Sequence, residues 1–170
     1  MRPEELSDDH AVLADVVLHA LRFMLESGEE IAEACLIYAT APMLRVKDLC
    51  DGLKMLREHG ADAVISVAEH PSPVQRALKV SDDGYLSMLW PEYQTTRSQD
   101  LSKAYHDAGQ FHWLRVEPFL ETGVLYMKKC RPLILPQYLG LDIDTAEDLA
   151  LAKKLYRALF QNDSAVWGDE

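Results

Sequence analysis

Two short apolar runs on either side of one amphipathic stretch constrain this chain more than any other feature. Residues 34–39 read Ala-Cys-Leu-Ile-Tyr-Ala and residues 63–67 read Ala-Val-Ile-Ser-Val. Between them, residues 46–59 place Leu49, Leu53 and Leu56 at helical spacing ahead of Gly60. Short apolar runs without alternation suit strands covered on both faces. A strand, a helix and a strand at this spacing make a right-handed crossover unit. Residues 10–27 carry Leu13, Val16, Val17, Ala20, Leu21 and Met24 on one helical stripe that stops at Gly28. Residues 76–80 and 85–89 flank Ser81-Asp82-Asp83-Gly84, a hairpin with its glycine in the turn. Residues 91–99 are polar and irregular, as in an active-site loop. Strands are expected at 110–116 and 132–136. A last helix is expected over 145–161, with Leu149, Ala152, Tyr156, Leu159 and Phe160 on one face. The expected fold class is α/β, an open, mostly parallel, Rossmann-like sheet with a hairpin insertion. It spans residues 1–161 and precedes a flexible tail over 162–170.

Composition narrows the function. Of 170 residues, 48% are hydrophobic, enough for a packed core. The 17 basic and 28 acidic residues give a net charge of −11, which repels phosphate backbones and anionic lipid, so nucleic acid and membrane are not expected partners. No apolar run is long enough to span a bilayer, and Met1-Arg2-Pro3-Glu4-Glu5 does not read as a secretory signal. Cys35, Cys50 and Cys130 form no metal or CxxC spacing, and are expected as buried free thiols in a reducing cytoplasm.

Three clusters could carry chemistry. Asp142-Ile143-Asp144-Thr145 sets two carboxylates two positions apart. In a strand both would face one side and could share a cation, and Mg²⁺ takes one or two carboxylates with water and phosphate oxygens. The same residues also read as a helix start, with Asp144 as cap and Glu147 three positions on. The second cluster runs Arg97-Ser98-Gln99-Asp100 and then Tyr105-His106-Asp107-Ala108-Gly109-Gln110-Phe111. Arg97 suits a carboxylate gripped by two hydrogen bonds. Gln99 and Gln110 offer donors and acceptors to a polyhydroxylated molecule, and Gly109 admits close approach to the backbone. The plainer reading is a solvated loop and an edge strand. The third, Ala39-Thr40-Ala41-Pro42-Met43-Leu44-Arg45, follows the first strand at the sheet edge where α/β folds gather ligands. Its plainer reading is a strand-to-helix turn. His10, His19, His59 and His70 read as surface or packing residues; His106 stands out for its neighbours.

Taken in order, six stretches resemble the nonulosonate cytidylyltransferases, the CMP–sialic acid synthetase family. They are residues 2–10, Ile37-Tyr38-Ala39-Thr40-Ala41-Pro42-Met43-Leu44, Pro73-Val74-Gln75-Arg76-Ala77-Leu78-Lys79, Arg97-Ser98-Gln99-Asp100-Leu101, the run from Tyr105 to Phe111, and Asp142-Ile143-Asp144-Thr145. The resemblance implies a cytoplasmic homodimer, with contacts within 110–136, that moves CMP from CTP to the anomeric hydroxyl of a nine-carbon α-keto acid sugar and releases pyrophosphate. It implies Arg2 near the cytosine and Thr40, Ala41 and Pro42 in the nucleotide pocket. Around the sugar acid it implies Gln75, Arg97, Gln99, Gly109, Gln110 and Phe111. Asp142 and Asp144 would hold Mg²⁺ and, with Arg97, act in catalysis. The Asp-Ala-Gly-Gln-Phe run is similar to the pseudaminic acid branch, whereas sialic acid members usually carry Asn-Gly at the position of Ala108. Sialic or legionaminic acid is the alternative substrate.

Two departures from the family pattern set further expectations. The family cradles the CTP phosphates in a basic, glycine-containing loop, whereas the eight glycines here are scattered and no stretch matches. By resemblance, roughly two β/α units, on the order of 60 residues, would precede Met1. Ala11-Val12-Leu13 also replaces small hydroxyl residues near the base and ribose. The expectation is therefore a fold without its first β/α units and with impaired turnover, since electrostatic stabilisation worth several kcal/mol is missing. The alternative is a non-catalytic remnant that binds the sugar acid or dimerises.

Overall fold

The computed structural model describes residues 3–8 and 10–161. Arg2 and the expected tail over 162–170 lie outside the described residues. Among the described residues, four α-helices and six strands follow in the order α1 (Leu13–Glu26), β1 (Glu33–Ile37), α2 (Val46–Glu58), β2 (Ala63–Glu69), β3 (Leu78–Val80), β4 (Leu86–Met88), β5 (Tyr105–Arg115), α3 (Val116–Thr122), β6 (Cys130–Leu135) and α4 (Ala146–Tyr156). The main sheet has the order β1-β5-β2-β6, while β3 and β4 pair as a separate ribbon. β5 runs antiparallel to β1 and to β2, and β6 runs parallel to β2. Thus β1, β2 and β6 point one way and β5 alone opposes them. The β1–α2–β2 crossover is present with β5 inserted between its strands.

That insertion corrects two local expectations. β1 is an edge strand of intermediate burial, with Ile37 48% exposed, and so is not covered on both faces. β5 is central and buried from Ala108 to Phe111, and so is neither a solvated loop nor an edge strand there. The seven-residue α3, which the sequence pattern did not disclose, ends on Gly123 at φ +65°.

Apolar side chains line both faces of the sheet. On one, α1 and α3 bury Val17, Leu21, Val116 and Phe119 against Ala63 and Leu114. On the other, α2 packs Leu56 against Val64, with Leu53, Met55 and Trp113 around it. α2 lies close to β5 at Gly52, where a Cβ would sit 2.9 Å from both Phe111 and Trp113. A third cluster, Met43, Ala68, Ala108, Leu135 and Leu139, closes the end of the sheet nearest the 140–145 loop. Gly140 is seated so tightly there that a Cβ would lie 2.5 Å from the Ala68 Cβ. Neither atom can swing away, so Gly140→Ala is expected to lower stability by about 1–3 kcal/mol, read as a lower urea midpoint.

β2 and β5 lose register midway. Ile65 pairs with His112 and Val67 with Asp107, so the single residue Ser66 stands opposite the four residues 108–111. This bulge replaces part of the backbone ladder. The buried Ser66 Oγ fills the gap, accepting from Phe111 N and donating to Phe111 O, each at 3.0 Å.

The three cysteines are free, but Cys50 is exposed, which corrects the expectation that all are buried. Burial pushes the Cys35 thiol up to about 11 and raises Cys130 as well. Among the described residues no helix is long and apolar enough to cross a membrane.

Candidate active site

The bulge carries the Asp107–Phe111 motif. Gly109 adopts φ +63°, a left-handed conformation natural to glycine. Asp107 Oδ1 accepts its N–H at 2.9 Å. Gln110 is buried and donates from Nε2 to the Leu139 carbonyl at 2.6 Å, leaving Oε1 without a partner among the described residues. The Phe111 ring belongs to the core: it is fully buried and would meet any Cβ placed at Gly52. Within the segment implied to line the sugar-acid site, the Phe111 side chain is thus a core residue. The Asp142 carboxylate lies 3.4 Å from where a Gly109 Cβ would be.

Asp142 and Asp144 sit on a loop and not on a strand, so the same-face strand argument does not hold. The helix cap also falls one residue later than expected. Thr145 caps α4, with its Oγ1 accepting from Asp148 N at 3.2 Å, while Asp148 Oδ2 accepts from Thr145 N at 2.9 Å. This leaves the exposed Asp144 carboxylate with no hydrogen bond among the described residues. Asp142, also exposed, uses Oδ1 to accept from Ile143 N at 3.0 Å. No cluster of three or more metal-binding side chains occurs among the described residues. Two carboxylates with free oxygens fit Mg²⁺ in the mode where substrate and water oxygens complete the shell.

Two clefts hold other implied site residues, and the larger borders this loop. In the larger, of about 610 Å³, Thr40, Ala41 and Pro42 face Ile143, Leu149, Lys153, Tyr156 and Arg157. Its lining contains two cations and no carboxylate, unlike the chain as a whole. Ile143 brings this cleft between the two aspartates in sequence. The smaller, of about 330 Å³, is lined by His70, Pro73, Ser98, Gln99, Ser102 and Lys103 among others. Gln75 stands beside it, donating from Nε2 to the Ser102 carbonyl at 3.3 Å, with Oε1 buried and unpaired among the described residues. Arg97 is exposed at the start of the Ser98–Asp100 turn. The clefts share no lining residue, and among the described residues no hydrogen bond or ion pair joins Asp142 or Asp144 to Arg97 or Gln99. The rings of His70 and His106 span the gap: their centroids are 5.0 Å apart, and His106 Cε1 lies 3.5 Å from a Cβ placed at Gly140. His106 is oriented by Nδ1–H donating to the Asp107 carbonyl at 2.8 Å.

One cluster escaped the sequence reading. His112 Nε2 lies 2.8 Å from Asp107 Oδ2, which also accepts from Tyr126 Oη at 3.2 Å and Tyr38 Oη at 3.3 Å. Residues five apart on a regular strand face opposite sides; the bulge brings these two together. The glycine inside the motif was the available signal. Burial works against the Asp107 charge, but the hydrogen bonds from His112, Gly109 and Tyr126 prevail and hold its carboxyl below the usual range. A carboxylate so lowered stabilises the fold fully above the unfolded value of about 4 and ceases to do so as pH falls through the lowered one. Urea midpoints taken from pH 6 to pH 3 should therefore fall more steeply in the wild type than in Asp107→Asn.

Pseudaminic acid cytidylyltransferase from Campylobacter jejuni serotype O:2 is 32% identical over 157 residues, covering 92% of this chain and 68% of that protein. The same enzyme from serotype O:23/36 matches to the same extent. A Helicobacter pylori protein, pseudaminic acid cytidylyltransferase and UDP-2,4-diacetamido-2,4,6-trideoxy-beta-L-altropyranose hydrolase, is 25% identical over 148 residues, 86% of this chain and 26% of its own length. No protein-family model matches the chain. With the Campylobacter alignments running from the first cleft through the aspartate loop, the chain belongs to the nonulosonate cytidylyltransferase family.

Proposed function

We propose that the chain binds CTP and pseudaminic acid and takes part in moving CMP to the anomeric hydroxyl of the sugar acid, with pyrophosphate as the other product. The carrying observation is the Asp142 carboxylate held against Gly109, with Asp144 free of the helix cap beside it. In this reading Asp142 and Asp144 hold Mg²⁺. The bound ion supplies charge neutralisation on the phosphate oxygens. Thr40, Ala41 and Pro42 form the nucleotide side of the larger cleft. Gln75 and Gln99 face the sugar hydroxyls at the smaller one, and Arg97, on the exposed turn above it, pairs with the sugar carboxylate. These 170 residues contain no glycine-rich basic loop to surround a triphosphate, so turnover by this chain alone is slow. A cytoplasmic homodimer completes the proposal. In the implied contact region, Gln110, Phe111, His112 and Leu114 are buried, and the exposed Val124, Tyr126 and Ile134 are the side chains that would supply its contacts.

Titration calorimetry with pseudaminic acid tests the reading. Heat of binding is expected, reduced about tenfold or more in affinity by Arg97→Ala, which removes a bidentate charge pair. Equal affinity for a neutral hexose, or no effect of Arg97→Ala, would overturn it. Pyrophosphate release with CTP and Mg²⁺ added should be slow and lost in Asp142→Asn; rapid release would overturn the assignment of slow turnover.

A further inference from the structure

Four donors converge on the carboxylate of Asp107: the Gly109 N–H on Oδ1, and His112 Nε2, Tyr38 Oη and Tyr126 Oη on Oδ2. They come from three parts of the chain, since Tyr38 follows β1, Gly109 and His112 belong to β5, and Tyr126 lies between α3 and β6. A carboxylate only accepts, so His112 presents its Nε2–H, and its Nδ1 is left buried with no partner among the described residues. Asp107 and His112 line neither cleft. The group is thus placed to hold other residues.

Two of the residues it holds lead to Asp142. Gly109 is kept in its left-handed conformation by Asp107, and the Asp142 carboxylate rests directly over that glycine, 3.4 Å from a Cβ position. Tyr38 is anchored on the other oxygen, its hydroxyl lies within electrostatic reach of Asp142, and the chain runs from it into Ala39 and the Thr40–Pro42 turn. The bulge itself does not depend on Asp107, because Ser66 fixes Phe111 from the opposite strand.

We infer that Asp107 is a positioning residue: by fixing Gly109 and anchoring Tyr38 it sets where the Asp142 carboxylate stands relative to the Thr40–Pro42 turn. The inference rests on the reading of Asp142 and Asp144 as metal ligands.

The test uses the full chain and Mn²⁺ alone, with the free ion counted by electron paramagnetic resonance. Asp142→Ala is expected to remove the tightest bound Mn²⁺. Asp107→Asn keeps the side-chain shape but puts an amide where one oxygen gathers three donors. It is expected to weaken that Mn²⁺ site about tenfold, the usual consequence of losing an outer partner of a ligand, with the circular dichroism spectrum unchanged. Gly109→Ala, which strains a left-handed backbone position and sets a Cβ 3.4 Å from the Asp142 carboxylate, is expected to weaken the site as well. A role in folding alone would lower the melting temperature and leave Mn²⁺ affinity untouched. If Asp142→Ala binds Mn²⁺ as the wild type does, the metal reading itself fails. If Asp142→Ala loses the ion while Asp107→Asn or Gly109→Ala keeps wild-type affinity, the positioning role is overturned. Should Asp107→Asn not fold, Tyr38→Phe, which removes the hydroxyl anchored on Asp107, decides in its place: weakened Mn²⁺ binding supports the role and wild-type affinity overturns it.

Discussion

Replacing Phe111 with alanine is expected to destabilise the protein by about 3–5 kcal/mol, a large share of the 5–15 kcal/mol that typically holds a domain together. The ring is fully buried between β5 and α2 and lies against Gly52, where the helix has no side chain of its own to fill the space. Truncation leaves a cavity that α2 can close only by moving toward Trp113, whose indole N–H is tied to the Leu49 carbonyl at 3.0 Å. The measurement is the urea unfolding curve of the variant, with sugar-acid affinity determined on the folded fraction at low temperature. A stable variant with weakened affinity would return Phe111 to the substrate site.

Phe111 also shows where the sequence was legible and where it was not. Local periodicity disclosed α1, α2, β2 and the hairpin, because each is specified by residues within a few positions of one another. The place of β5 was hidden, since the order of strands in a sheet is decided by contacts far apart in the chain. The bulge was hidden for a related reason: its one visible sign is Gly109, and its stabilising partner, Ser66, lies 45 residues away. In the site, the aspartate pair was legible as chemistry but not as geometry. Asp144 with Glu147 and Thr145 with Asp148 both satisfy a capping pattern. The second prevails because Asp148 Oδ2 accepts from Thr145 Oγ1 at 2.6 Å as well as from the backbone N–H groups of Thr145 and Asp144. Asp144 is released from capping by that competition alone.

Ser66→Ala is expected to cost about 2–4 kcal/mol, although it removes a single oxygen. The hydroxyl is fully buried and serves both the N–H and the C=O of Phe111. Without it, a donor and an acceptor remain in the interior with no partner, and each such group costs about 1–3 kcal/mol. Ser66→Thr, which keeps the hydroxyl, should recover part of the loss, limited by the room for an added methyl. Chemical denaturation gives the energies. Exchange of the Phe111 amide proton checks the mechanism, since that N–H loses its acceptor in the alanine variant and keeps it in the threonine one.

The β3–β4 ribbon has a different fate. Its three cross-strand pairs join no other strand, and none of its six residues is buried. A two-stranded ribbon of that kind is marginal by itself, so it opens and closes many times for each opening of β2. The segment around Ser81-Asp82-Asp83-Gly84 is accordingly where a protease will nick the native protein first, leaving two fragments held together by the sheet that neither cut end belongs to.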